Sequence, residues 1–491
     1  SRCDKVYVQG DGYDALKQSL TSLNKKLVSQ NKEEYASYKK EAEDMRNNYP
    51  EMKQSYVCNY EFNPVRFDHT VVSMYWLKYY DLGKFSTTLP VIYMNTKGQQ
   101  ILKENVICGN IALLDGNEEA QSVSAVPNSI YRATIKYRGA SSYSKFDKKQ
   151  YRIKFYKNSK ENEKKVSLAG MGANSEWVLN GPYLDKTLIR NKLVYDLARE
   201  LNGWAPDTRF VELFVDGKYQ GVYLAVEPVT NGESRLRLAE FGLLSGETAY
   251  VVNRDRIDTG TEEIETWGKT KGYTYNALYI RYPSKNKITE KQKEYIKNDI
   301  SEFEQVLYGE NFKDKRSGYQ EYIDMDNWVD YFIINEFAMN YDAGNLSTYV
   351  YKELGGKLQL AAWDFNNGFD NYQWFHTETD RLYTVENSWF DRLWQDENFR
   401  KHVCERYVQL RKTTLSDEHI ADKIASYQEE LGDAVDRNFK VWGYSFNEVL
   451  LAGTTKEGTS RDIRSYEEAM KQLTDTIRER LAYLDKELGG N

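Results

Sequence analysis

Histidine and cysteine are scarce in this chain, four of each among 491 residues, and that scarcity removes several chemistries at once. A histidine-based metal site or proton shuttle is excluded as the organising feature, because such sites draw on imidazole. The cysteines are Cys3, Cys58, Cys108 and Cys404, with no C-x-x-C pair among them. A zinc site is therefore excluded, while one or two disulfides remain open, with a pairing that sequence does not fix. Proline is sparse at 8. No run approaches the ~20 apolar residues of a membrane-spanning helix. A basic excess is also missing: 67 Lys and Arg stand against 74 Asp and Glu, for a net charge of −7. A nucleic-acid binder normally presents a basic face, so nucleic acid is excluded as a partner.

What is plentiful is tyrosine, 40 residues. Tyrosine- and tryptophan-rich surfaces suit sugars, but half-buried strand and helix positions account for these residues as well. The length exceeds what one simple core holds and predicts two or three lobes. The chain opens Ser-Arg-Cys, as after removal of a leader, and a secreted or cell-envelope location is expected.

Residues 1–87 read as an N-terminal helical extension. Leu16, Leu20, Leu23 and Leu27 recur at helical spacing within Asp14 to Met52, which makes a packing face. Residues 88–228 read as β-rich. Within them, RGASSYSKFDKKQYRIKF places the small residues Gly139, Ala140, Ser141 and Ser142 in a flexible loop between two strands. Such a loop lets backbone N–H groups approach phosphate oxygens. Tyr151, Ile153 and Phe155 alternate with Arg152 and Lys154, so the two cations share a face. A strand lysine opposite a small-residue loop suits a nucleotide's phosphates; Lys149 competes with Lys154 for that role. A helix follows from near Asp185, then a hairpin around Asp216-Gly217, and the chain leaves the sheet at Glu227-Pro228.

Residues 229–491 read as mainly helical, and the informative stretch is Asn335 to Asn371. A helix-like segment, DNWVDYFIINEFAMN, runs into a polar loop with Asp342 and Asn345. Two β-rich runs flank the Gly355-Gly356 turn and deliver Asp364, Asn366 and Asp370. Asp342 and Asp364 stand 22 residues apart, room for a loop and a hairpin of ~5–6-residue strands. A hairpin returns the chain to its start, so both carboxylates meet at one mouth. Phosphoryl transfer needs that pairing: one carboxylate for the acceptor hydroxyl and one for Mg²⁺. Caps and turns are the ordinary use of loop Asp and Asn.

The order of strand, small-residue loop, lysine strand, helix, hairpin and helical half is that of a bilobal protein kinase, although no H-R-D or D-F-G triplet is present. From about Leu89 to the C-terminus the chain resembles the CotH (spore-coat kinase) family. RGASS, KKQYRIKF, WVLNGPYLDKTLIRNKL, RFVELFVDGKYQGVYLAVEPV, NYDAGN and LAAWDFNNGFDN carry the resemblance. It implies an α+β, bilobal protein-kinase-like fold with a β-rich N-lobe and a mainly helical C-lobe, preceded here by the helical extension. It also implies transfer of the ATP γ-phosphate to Ser of a secreted or surface protein, with Mg²⁺ or Mn²⁺. Residue by residue, Asp342 resembles the catalytic-loop aspartate and Asn345 its metal-binding partner. Asp364 resembles the aspartate that holds the metal, with Asn366 where the family usually has a second acid and Asp370 nearby to compensate. Lys154 or Lys149, with Ser141 and Ser142, is implied at the phosphates, and Glu227 beside the adenosine. The D-x-x-N spacing departs from the common D-x-x-x-x-N loop. A catalytically silent surface or adhesion protein on the same fold is the competing expectation.

Overall fold

A computed structural model of the chain describes residues 56–60, 74–78 and 85–490, except positions 124, 126, 241, 243, 257–259, 449 and 452–460. The leucine stripe and the helical reading of residues 14–52 lie outside the described residues. Within residues 1–87 the described elements are strands: β1 (Tyr56–Tyr60) pairs antiparallel with β2 (Met74–Lys78), and β3 (Ser86–Thr87) pairs with β6 (Gln121–Ser122). Cys108 and Cys404 are free thiols. Among the described residues no helix is long and apolar enough to cross a membrane.

The fold is α+β, and the chain divides into two compact units. The first takes the chain to Gly181 together with Arg209–Ala225 and Glu430–Gly443. Its centre is a closed barrel of β4 (Val91–Asn95), β5 (Ile107–Leu114), β7 (Ser129–Arg138), β8 (Gln150–Tyr156), β9 (Glu176–Asn180), β10 (Thr208–Val215) and β11 (Lys218–Val226). Barrel closure comes from a parallel pairing of β10 with β4, Glu212 opposite Val91. The β8 alternation decides its faces: Tyr151, Ile153 and Phe155 are buried, while Arg152 and Lys154 point outward. Ile135, Trp177, Leu179, Val211, Leu213 and Tyr223 complete the interior; full burial of such side chains stabilises by roughly 1.5–3 kcal/mol each. The Ala434–Trp442 helix packs on this unit through Arg437, which pairs with the buried Glu212 at 2.9 Å, and Asn438, whose Oδ1 accepts from Val222 N at 3.1 Å.

The small-residue stretch after β7 is not the flexible loop that its composition suggests. Ser141–Lys145 forms a short helix, and Phe146 N donates to Ser142 O at 3.2 Å. Gly139 makes the turn into it at φ +95°, where a Cβ would also meet Ser142 Oγ at 2.1 Å. The physical reason is local: Lys149 Nζ donates to Tyr143 O at 2.7 Å and Phe146 O at 2.6 Å, which satisfies carbonyls at the helix end.

The second unit comprises Pro182–Thr208, Val226–Glu429 and Tyr444–Asn491. It contains a sheet ordered β13 (Glu262–Ile264), β14 (Leu278–Tyr282), β12 (Tyr250–Arg254), β15 (Thr348–Lys352) and β16 (Gln359–Ala361), so it is less purely helical than expected. The helix expected from Asp185 begins at Arg190, because the Asp185 carboxylate accepts from Thr187 N, Arg190 N and Arg190 Nη1 and holds an irregular turn there. Trp328, Trp389, Phe303 and Phe390 form the aromatic centre, with Trp328 and Trp389 rings 5.7 Å apart.

Candidate active site in the second unit

The site is built on the Met325–Phe337 helix, which is buried from Asn327 onward. A helix buried on every side sits inside a core, so its end is fixed rather than frayed. Asp324 caps its start by accepting from Asn327 N at 3.2 Å. Met339 at φ +54° turns the chain out of the helix, and Asn345 N and Leu346 N both donate to Asp342 O, at 3.0 and 2.8 Å. Gly344 follows at φ +84°; a Cβ there would come within 3.2 Å of Ser388 O and Asn387 Cβ. Arg254, at the end of β12, donates from Nη1 to Gly344 O at 2.7 Å and so ties the loop to the sheet.

β15 and β16 pair antiparallel, Tyr349 opposite Ala361 and Tyr351 opposite Gln359, around Gly355 at φ +69°. That is the hairpin the glycine pair signals. Asp364 stands beyond it at φ +65°, a region that Asp tolerates better than most residues but that typically costs about 1–3 kcal/mol. Two side chains of the Arg190–Ala198 helix hold it there. Asp364 N donates to Tyr195 Oη at 3.0 Å and Phe365 N to Asn191 Oδ1 at 2.7 Å. Ser347 Oγ donates to Asp364 Oδ2 at 3.4 Å.

Asp342 and Asp364 therefore share one mouth. Burial pushes the Asp342 carboxyl up to about 6, and the negative charge of Asp364 adds to the rise. Arg256 and a hydrogen bond with Asn367 pull the other way, and Asp255 raises it further. The Tyr372 hydroxyl is raised by burial and then by the adjacent Asp342 charge. A half-buried carboxyl with its proton held near neutrality is suited to taking one from a hydroxyl.

The remaining predicted residues fall as follows. Asn345 Nδ2 donates to Asn387 Oδ1 at 2.7 Å, and its Oδ1 accepts from Ser388 Oγ at 2.7 Å and Ser388 N at 3.2 Å. Asn366 donates from Nδ2 to Asn367 Oδ1 at 3.1 Å. Asp370 is buried and committed elsewhere: it accepts from Thr377 N at 2.8 Å and faces His376 Nδ1 at 2.8 Å and Arg461 Nε at 3.5 Å. Glu227, just past β11, is buried; Asp207 N donates to it at 3.1 Å, and burial raises its carboxyl. In the first unit, Lys154 Nζ pairs with Glu163 Oε1 at 2.5 Å, Lys149 occupies the carbonyls already described, and Ser141 and Ser142 open the short helix.

Tyr195, Asn191, Asn367, Arg256, Asp255 and Tyr372 escaped the sequence reading. Only Asn367 carried a signal, by adjacency to Asn366; the others reach the site through tertiary packing. Beside Asp342 lies an aromatic surface: Tyr341 and Phe375 rings are 4.9 Å apart and Tyr372 and Phe375 rings 4.8 Å, with Tyr341 39% and Phe375 38% exposed.

Among the described residues no three His, Cys, Asp or Glu side chains converge as a metal cluster. A Mg²⁺ site needs less, since it uses one or two carboxylates and leaves the other positions to water and substrate phosphates. The Asp364 carboxylate, with the Asn366 amide oxygen two residues on, offers the oxygen donors that such a site uses. The chain is 27% identical over 303 residues to the inner spore coat protein H of Bacillus subtilis (strain 168), covering 60% of this chain and 76% of that protein. Residues 135–484 match the family model described as CotH kinase protein. That span includes both aspartates, the loop between them and the helix that carries Tyr195, and the chain belongs to the CotH kinase family.

Proposed function

We propose that this chain is a metal-dependent protein kinase that transfers the ATP γ-phosphate to serine of a secreted or surface-coat protein. The observation that carries the reading is the Asp342 carboxyl, raised to about 6 by burial and by Asp364 beside it. Asp342 takes the proton of the acceptor hydroxyl, and a base poised near the operating pH contributes roughly 10²–10⁴ in rate. Asp364 is the ligand that a divalent cation would use, with the Asn366 amide oxygen beside it. That cation, when bound, supplies charge neutralisation to the phosphates. Asn345 reaches the metal only by exchanging its bonds to Ser388; otherwise it braces the loop. The roles of Lys154 or Lys149, Ser141 and Ser142 at the phosphates and of Glu227 at the adenosine are part of this proposal and rest on the family resemblance alone. The exposed Tyr341 and Phe375 rings give an acceptor polypeptide something apolar to lie against, which favours a protein over a small acceptor. The name of the Bacillus relative supports a coat location.

Incubation of the purified chain with γ-labelled ATP, Mg²⁺ or Mn²⁺ and a serine-rich protein tests the reading. Label is expected on serine, and Asp342→Asn is expected to lose it. Absence of transfer by the parent protein with either metal would refute the proposal.

A further inference from the structure

The barrel carries a second concavity with its own chemistry. A cavity of about 580 Å³ opens beside the start of β7 and the end of β8, lined among others by Tyr131, Arg132, Tyr156, Lys157, Asn162 and Lys164. Three cations line it, and none of its lining residues carries a carboxylate. On a chain of net charge −7, such a local reversal of sign creates a field that attracts anions. Two carboxylates flank Asn162 in sequence: Glu163 is engaged by Lys154 at 2.5 Å and Ser175 Oγ at 2.6 Å, and Glu161 is exposed.

The walls are built rather than incidental. Arg132 and Tyr156 are register partners on β7 and β8. Lys157 N donates to Asn162 O at 2.8 Å, closing a tight turn behind them. Lys164 Nζ lies 4.4 Å from the centroid of the Tyr131 ring, which orients the ammonium. The volume falls within the ~300–1,000 Å³ of ordinary ligand pockets. The site is also separate from the small-residue turn. Arg132 pairs with Tyr156 and Arg138 with Gln150, six positions along β7, or about 20 Å at ~3.3 Å per residue.

We propose that this cleft binds a phosphate-monoester dianion. The Lys157 and Lys164 ammonium groups supply charge to a phosphate, Arg132 adds a third cation to the lining, and Asn162 supplies an amide. Two tyrosine rings flank the anion with flat, partly apolar surface. The dianion comes either from a phosphoseryl segment of a polypeptide or from free phosphate. The inference stands apart from the transferase reading, because it concerns binding alone.

Calorimetry on the full chain tests it, with three probes: a short glycine-flanked phosphoserine peptide, its unphosphorylated twin and inorganic phosphate. The phosphopeptide is expected to bind and its twin not to. The Lys157→Glu/Lys164→Glu variant is expected to weaken binding at least tenfold, and Lys157→Gln/Lys164→Gln by an intermediate factor, with an unchanged melting transition in both. A phosphopeptide at least tenfold tighter than inorganic phosphate identifies a polypeptide ligand, and equal affinities identify free phosphate. No phosphopeptide binding, unchanged affinity in the folded charge-reversed variant, or displacement by ATP would overturn the proposal. Failure of label transfer in the kinase assay would leave this result unaffected, so the two readings fail separately.

Discussion

Asp342→Asn separates a catalytic carboxyl from a structural one, because the two roles predict opposite changes in stability. In the folded chain burial raises the Asp342 carboxyl from the ordinary 3.8 to about 6. Each pH unit corresponds to 1.36 kcal/mol, which sets an upper bound of about 3 kcal/mol; partial exposure of the side chain halves this to about 1–2 kcal/mol. The sign follows from linkage. A carboxyl whose folded value is raised binds its proton more tightly when folded. Its contribution is therefore present below about pH 4 and lost as pH rises through 6. The asparagine variant carries no charge at any pH. It should match the parent near pH 4 and exceed it by about 1–2 kcal/mol at pH 8, read as a higher denaturation midpoint by tryptophan fluorescence. Over the same range the parent's transfer rate should fall as pH drops through about 6, and the variant's rate at pH 8 should be about 10²–10⁴ lower. A residue that stabilises when removed while activity collapses is serving function. An Asp342→Asn variant less stable than the parent at pH 8, or within threefold of its activity, would refute the reasoning.

Asp364→Ala should weaken metal-dependent ATP binding in calorimetry as well as turnover, whereas Asp342→Asn should leave ATP affinity near the parental value; this difference divides a ground-state ligand from a base. Lys154→Ala should lower ATP affinity while shifting stability by no more than ~0.5 kcal/mol, and Glu163→Gln, which frees the Lys154 ammonium, should raise it; unchanged affinity in both moves the phosphate role to Lys149. Tyr195→Phe removes the acceptor of the half-buried Asp364 N and should cost about 1 kcal/mol in denaturation, the low end of the penalty for an orphaned donor, with a matching fall in activity. Arg480→Ala should be the most destabilising of the set, about 3–5 kcal/mol, because Arg480 Nη2 and Glu336 Oε2 lie 2.7 Å apart with both side chains fully buried.

Local chemistry was legible where chain-adjacent residues decide the outcome. The Gly355-Gly356 pair between two β-rich runs specifies a hairpin, and with Tyr349 opposite Ala361 that hairpin returns Asp364 towards the loop that carries Asp342. Asp216 and Gly217, at φ +48° and +79°, likewise make the turn between β10 and β11 that their identities require. The alternation along β8 sorted its faces correctly. What no local pattern contains is the partner supplied from far along the chain. Barrel closure depends on β10 meeting β4, elements more than a hundred residues apart. The hold on Asp364 comes from Tyr195 and Asn191, the Asn345 amide is engaged by Asn387 and Ser388, and Asp370 is drawn off by His376, Thr377 and Arg461. The sequence by itself determined which carboxylates meet, because a hairpin is a local object. Tertiary structure alone decided what each carboxylate faces, and with it the proton affinity of Asp342, because burial and neighbouring charge are properties of the packed chain.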